Sequence, residues 1–374
     1  MRTKNRRGFT LVELLVVIAI IGNKVNSTVC DFTVRDFGTT QAGEEVKAFR
    51  LVNGQGVSAT VMTYGAAVIS LELPDRDGKV KNCVLAYDTL AEYEAGESYF
   101  GATVGRVASR IFDSKFTLDD VEYKLTMNHG KHHLHGGVSG FTHRVWQAEP
   151  WKKDDTVGVT LRLTSPDGDQ GYPGTLDVEV IYTLSTDGAL RLDYTATTDK
   201  VTHVNMTNHS YFNLAGHDSG DILDQELAIP SDQYVEIDDK LIPSGQFRSV
   251  ADTPLDFRSA KKMGLEIEKA PLLYDHSFIV RRKGDALIHV ATATDPESGR
   301  TLEVLTNEPV IHLYTTGHLK DEQGAEGAVY QSEHGFCLEA SHLCNSPNQP
   351  NFPSTVLRPG ETYRSTTIYR FSAL

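Results

Sequence analysis

The stretch Leu176-Asp-Val-Glu-Val-Ile-Tyr-Thr-Leu184, followed by Asp187-Gly188 and then Ala189-Leu-Arg-Leu-Asp-Tyr-Thr195, decides the fold class. In both arms apolar side chains recur at every second position. Leu176, Val178, Val180, Tyr182 and Leu184 fall on one face of the first arm, and Leu190, Leu192 and Tyr194 on one face of the second. A side-chain period of two belongs to a strand. Asp-Gly between two such runs is a hairpin turn signal. The stretch therefore reads as an antiparallel hairpin with one buried face.

Working outward, Val157 to Leu163 and Glu361 to Phe371 alternate in the same way. Asn53-Gly54, Asp77-Gly78 and Asp167-Gly168 are further hairpin-type dipeptides. Helical candidates are few and short, around Leu90 to Ala95 and Ala260 to Lys269. No internal repeat, low-complexity tract or Pro/Ser linker divides the body. Residues 29–374 are expected to form one all-β domain, a large antiparallel β-sandwich.

Composition bounds the function. The chain has 374 residues, 40% of them hydrophobic, which is ample for a large core. A net charge of -14 argues against a nucleic-acid partner. It also disfavours phosphorylated substrates, so a neutral small molecule fits best. The four cysteines, Cys30, Cys83, Cys337 and Cys344, show no Cys-x-x-Cys spacing. Neither a zinc site nor a disulfide framework is indicated. Cys337 lies in an apolar run and reads as a small packing group.

Residues 1–28 differ in character from the rest of the chain. Arg2, Lys4, Arg6 and Arg7 precede an apolar run from Phe9 to Ile21. A basic run followed by an apolar one is a targeting signal, and it is excluded from the fold. Gly8-Phe-Thr-Leu-Val-Glu13 resembles the cleavage and methylation motif of type IV prepilins. The resemblance implies a cut between Gly8 and Phe9. Gly22-Asn23-Lys24 then breaks the apolar run earlier than in a pilin. If the segment is used, residues 8–22 imply association with a membrane or the cell envelope; otherwise the protein is expected in the cytoplasm.

Five stretches could carry chemistry. Read as a strand, Val201 to Gly216 puts Val204, Met206, Asn208, Ser210, Phe212 and Leu214 on one face. His203, Asn205, Thr207, His209, Tyr211 and Asn213 take the other. The second row both donates and accepts hydrogen bonds, which suits a polyhydroxylated ligand. On pattern alone, that reading and a polar edge strand are evenly matched. Tyr99 to Ile111 sets Arg106 and Arg110 in an apolar run, where an Arg must find partners. Such an Arg is either a clamp on carbonyls and carboxylates or a donor fork for substrate oxygens.

His129, His132, His133 and His135 crowd one loop. No cysteine or acidic residue lies near enough in sequence to complete a zinc shell, so no metal is expected. Asp275, in Leu273-Tyr-Asp-His-Ser-Phe278, reads more readily as a turn residue bonding its own backbone than as a ligand contact. Glu339 lies in the apolar run Gly335-Phe-Cys-Leu-Glu-Ala-Ser341, where a carboxylate is rarely buried without purpose. A salt bridge to an Arg is its commoner fate, and general-base work the alternative.

Taken together, these stretches resemble the aldose 1-epimerase, or galactose mutarotase, family. Gly-Arg-Val-Ala-Ser-Arg-Ile, Leu-His-Gly-Gly, Gly171-Tyr-Pro-Gly174, Thr-Asn-His-Ser-Tyr-Phe-Asn-Leu, Tyr-Asp-His-Ser-Phe, Gly-Phe-Cys-Leu-Glu and Asn-Gln-Pro-Asn-Phe-Pro succeed one another in the family's order. The resemblance covers the chain beyond its first segment. It implies a supersandwich of the galactose mutarotase type acting on a free aldose without a cofactor. It also implies Glu339 as general base, His209 as general acid and His135 as assistant at the ring oxygen. The acid and base are expected on opposite sides of the acetal. Arg110, Asp275, His312, Asn208 and Tyr211 form the expected sugar-contact set. Arg106 remains a structural clamp.

Some residues depart from the family pattern. Ser109 stands in place of a usual Asn, and His312 in place of a frequent Gln. Ser341 to Ser346 replaces a Gln-x-Trp-Pro-Asp-Ala type of run. These positions bear on sugar preference. Two alternatives share the fold: a hexose-phosphate 1-epimerase, and a carbohydrate-binding protein without catalysis.

Overall fold

The computed structural model describes residues 30–374 apart from 239–240, 271–272, 282–283 and 285. The first segment and the domain boundary at residues 28–29 lie outside the described residues. The deciding hairpin forms as read. Leu176–Ser185 pairs antiparallel with Ala189–Thr198, with Leu184 opposite Leu190 at the turn. Gly188 has φ +79°, and a Cβ there would lie 2.8 Å from the Phe371 carbonyl oxygen. Glycine is therefore required twice over at this turn.

That hairpin sits inside a nine-stranded sheet. On one side it continues to Thr156–Ser165 and Gln147–Lys153. On the other, Tyr363–Ala373 pairs with Ala189–Thr198, and Arg300–Thr306 comes next. Ile288–Thr294, Glu226–Ala228 and Lys261–Lys262 complete the sheet. A five-stranded meander runs from Asp31–Thr39 to Val80–Asn82. A further five-stranded sheet has the order Pro243–Ser249, Gln233–Ile237, Asp275–Ile279, Val310–Tyr314, Cys337–Ser341. One continuous core draws Leu51 and Val61 from the meander, Val180 and Leu192 from the large sheet, and Ile311 and Leu338 from the third. Face-to-face packing of sheets over a shared core is the sandwich arrangement.

Several local expectations change. Thr89 and Glu92 form a capping box that starts the helix Leu90–Ala95, where a helix was expected. The second expected helix is absent. Lys261–Lys262 pairs as a strand, and two short 3-10 turns, Met263–Leu265 and Ile267–Lys269, come after it. Gly264 packs its backbone on Leu223, and its N–H is drawn to the Leu223 carbonyl (2.8 Å). Asp167-Gly168 opens a long connection between Ser165 and Leu176 rather than a tight turn.

Arg106 explains that connection. Its guanidinium donates to Ser165 Oγ (2.9 Å) and to the carbonyls of Ser165 (2.9 Å), Pro166 (2.9 Å) and Pro173 (3.0 Å). It is the structural clamp expected of it. Arg300 does the same elsewhere, which the sequence did not signal. It is 1% exposed and donates to the carbonyls of Leu73 (3.0 Å), Leu214 (3.0 Å) and Lys79 (2.8 Å). It thereby ties the meander and the 201–216 segment to the large sheet. Each buried carbonyl left without a donor costs about 1–3 kcal/mol. Arg300→Met, which keeps the volume and removes the donors, should lower unfolding free energy by roughly 3 kcal/mol or more. The urea midpoint should fall accordingly; an unchanged midpoint would show that water replaces these bonds at no cost.

Candidate active site

The third sheet supplies most of the site through its period of two. Asp275, Tyr314 and Cys337 lie opposite one another across three strands, as do Ser277, His312 and Glu339. Paired residues in an antiparallel sheet share a face, and so do residues two apart. One face of this sheet therefore presents Asp275, Ser277, His312, Tyr314, Cys337, Glu339 and Ser341. The intervening Phe278, Ile311, Leu313, Leu338 and Ala340 enter the core on the other face. That burial fixes the register, because a one-residue slip would exchange the two sets.

The polar face forms one wall of a cleft of about 990 Å³. The 201–216 segment meets it there, though not as a continuous strand. Thr202–His203 pairs with Val356–Leu357, and Thr207–Asn208 pairs with Thr103–Val104. Both rows of its side chains are buried. His203 Nδ1 contacts Thr355 Oγ1 at 2.8 Å, and Asn213 donates to the carbonyls of Gly220 and His334. Asn205 accepts the His342 N–H at 2.8 Å. Of the polar row, His209 and Tyr211 reach the cleft.

His209 is held on every side. Its backbone N–H donates to the Ala102 carbonyl, and its own carbonyl accepts the Gly101 N–H. Its ring stacks against Tyr99 (centroids 5.8 Å apart, 23° between planes) and Tyr211 (4.8 Å, 19°). Its Nε2 approaches Glu339 Oε1 at 3.5 Å. The commoner fate of such a carboxylate, a salt bridge to an Arg, is not what occurs. The residues expected as acid and base thus lie 3.5 Å apart rather than on opposite flanks. Burial, the largest influence, holds the His209 imidazole below its usual range, while the Glu339 charge opposes it.

His135 adopts a left-handed backbone (φ +52°) just before Gly136 and Gly137. Its Nδ1 accepts the Ser109 N–H at 3.2 Å. Burial pushes it well below the usual histidine range, so the ring is neutral and its proton sits on Nε2. Its ring meets that of His209 edge-on at 5.2 Å. Of the other histidines of that loop, His129 also lines the cleft, while His132 and His133 point elsewhere. His132 Nδ1 accepts the Asp113 N–H, and His133 bridges the Thr126 carbonyl and the Tyr172 hydroxyl. Among the described residues, no group of three or more His, Cys, Asp or Glu is arranged to hold a metal.

Asp275 is a strand residue rather than a turn residue. It accepts a hydrogen bond from His312 Nε2 at 2.8 Å and faces Arg110 Nη2 at 3.9 Å. Burial raises its carboxyl, but the bond from His312 and the two positive charges outweigh this and hold it down at about 2. For His312 the signs reverse. Burial lowers it, and the bond and charge of Asp275 raise it above its usual range. Each partner therefore favours the charged form of the other. Arg110 Nε is buried without a protein partner among the described residues.

Asn208 is the one expected contact residue that does not line the cleft. Its amide donates to the Gly101 carbonyl (2.8 Å) and its oxygen accepts from Ser210 (2.6 Å), so its polar atoms are used internally. Tyr211 lines the cleft but is 1% exposed, behind the His209 ring. Sequence reasoning passed over Tyr99, which touches both His209 and His135. Its place at the head of the Tyr99–Ile111 run was the available signal. It also passed over the pair formed by His342 and Glu308, 2.9 Å apart.

The family profile described as aldose 1-epimerase matches residues 47–370. A second profile, the prokaryotic N-terminal methylation motif, matches residues 3–22. Galactose mutarotase of Sus scrofa is 40% identical over 343 residues, covering 90% of this chain and 97% of that protein. Aldose 1-epimerase of Escherichia coli K12 is 36% identical over 338 residues, covering 88% and 96%. A solved aldose epimerase homologue from C. elegans superposes with a TM-score of 0.80 at 32% identity, covering 92% of this chain and 100% of that one. With a profile spanning most of its length and relatives aligned nearly end to end, this chain belongs to the aldose 1-epimerase family.

Proposed function

We propose that this protein interconverts the α and β anomers of free hexoses such as glucose and galactose, with Glu339 as general base and His209 as general acid. The observation that carries this is the 3.5 Å approach of Glu339 Oε1 to His209 Nε2 in the cleft. The relatives named galactose mutarotase and aldose 1-epimerase support the same activity.

A cyclic aldose opens when its anomeric hydroxyl loses a proton and its ring oxygen gains one. Both oxygens are bonded to the same carbon. Catalytic groups in contact with each other therefore suit the reaction. Glu339 takes the proton of O1, the C1=O1 double bond forms, the C1–O5 bond breaks, and O5 takes a proton from His209 Nε2. Rotation about C1–C2 turns the other carbonyl face toward O5. On closure O5–H returns its proton to His209 and Glu339 returns its proton to O1. The protein ends as it began. His135, with its proton on Nε2, serves as a second donor at the ring oxygen. Arg110, Asp275 and His312 hold hydroxyls, and Tyr211 backs the His209 ring.

A free sugar suits the cleft better than a phosphorylated one. Among the described lining residues Arg110 is the single Arg or Lys, and it already faces Asp275. We further read residues 1–28 as a separate targeting segment and 29–374 as the enzyme. The methylation-motif match supports association with a membrane or envelope through residues 8–22. N-terminal sequencing of the native protein should then begin at Phe9; an intact Met1 would remove this assignment.

Glu339→Gln should slow mutarotation of fresh α-D-glucose, followed by polarimetry, by about 10²–10⁴-fold, the usual contribution of a general base. A near-normal rate would end its assigned role. The pH profile tests the acid. His209 donates only when protonated, and its pKa lies below the usual value of about 6.5. kcat/KM should therefore fall as pH rises, on a limb whose pKa lies below that value. A limb centred well above it would point to another acid.

A further inference from the structure

The strand Cys337–Ser341 delivers two side chains to the same imidazole. Glu339 meets Nε2 of His209 at 3.5 Å, and Cys337 Sγ meets Nδ1 at 3.5 Å. The two residues are separated by one position, so both project from the same face of the strand. Tyr99 and Tyr211 both stack against the ring. Stacking restrains the ring's plane but does not decide which nitrogen points which way. That choice falls to the edges, where sulfur lies on one side and carboxylate on the other.

We propose that Cys337 is a positioning residue for the epimerisation: its sulfur receives the Nδ1–H of His209 and confines the exchanging proton to Nε2, beside Glu339. The proposal rests on the acid–base assignment above. The catalytic cycle needs this arrangement. A ring that gives up its proton at Nε2 and takes it back there must keep the other proton on Nδ1 throughout. Cys337 is fully buried, so solvent does not compete for Nδ1. The one other acceptor near the ring is the His209 carbonyl, which also takes the Gly101 N–H at 3.0 Å and so shares its capacity.

The choice of sulfur has a chemical consequence. Burial raises the Cys337 thiol well above its usual range, so it remains neutral. A neutral sulfur is a weak acceptor and does little to stabilise the imidazolium. The same sheet contains the opposite case. His312 is bonded to the Asp275 carboxylate, and that bond, against burial, raises it above its usual range. His209, backed by sulfur, is lowered by burial despite the Glu339 charge. A weakly held proton suits transfer to an ether oxygen, which is a poor base.

The test uses the full-length protein labelled with 15N-histidine. NMR should find neutral His209 as the Nδ1–H tautomer in the wild type, and a mixture of tautomers in Cys337→Ala. Cys337→Ala should also lower kcat for glucose about tenfold, with KM within about twofold. Cys337→Ser, whose oxygen still accepts N–H, should restore most of the rate. An Nε2–H tautomer in the wild type would overturn the proposal. So would Cys337→Ala with the wild-type tautomer and kcat. Failure of the underlying reading would appear separately, as wild-type protein that does not accelerate mutarotation.

Discussion

A carboxylate and an imidazole brought together out of water are costly to bury, and the contact between Glu339 and His209 is the constraint the remaining structure serves. Neither partner can be left to find the other. Glu339 is fixed by a strand whose alternate residues are locked in the core. His209 is fixed by backbone bonds to Gly101 and Ala102, and by two aromatic rings stacked against it. The entropy of orienting the two side chains is thus met during folding.

Beside this contact the cleft holds a second pair, of different character. Asp275 and His312 support each other's charges, one driven down to about 2 and the other raised. His209 and His135 are both pushed the other way by burial. The cleft therefore favours the charged forms of one pair and the neutral forms of the two histidines beside it. Histidines driven in opposite directions within one cleft are how a small site separates binding from proton transfer.

The sequence made the sheets legible wherever the signal was local. Alternation from Leu176 to Thr195 with Asp187-Gly188 between the arms needed no distant partner, and neither did the short helix Leu90–Ala95. What failed depended on neighbours far away in the chain. The 201–216 segment looked like a strand with one polar side, either ligand-facing or at a sheet edge. His203, Asn213 and Asn205 of its polar row instead bond Thr355, His334 and His342 in the interior, and of that row His209 and Tyr211 reach the cleft. Asn208, on the other face, entered the expected contact set with the family resemblance and spends its bonds on Gly101 and Ser210. Arg300 gave no warning because its three carbonyl partners lie more than 80 positions away. At the site, Glu339, His209, His135, Arg110, Asp275, His312 and Tyr211 do converge on one cleft. Cys337 was read as packing alone, and no sequence pattern reveals that its sulfur lies against an imidazole.

The position of Tyr363–Ala373 bears on how such a chain is made. This strand lies between Ala189–Thr198 and Arg300–Thr306, both of which precede it in the chain. A growing chain on the ribosome that has not yet exposed it carries two long open sheet edges, and open edges invite pairing with other chains. Closure of the large sheet is therefore a late event set by topology, and the interval before it is when the newborn protein is most dependent on chaperones.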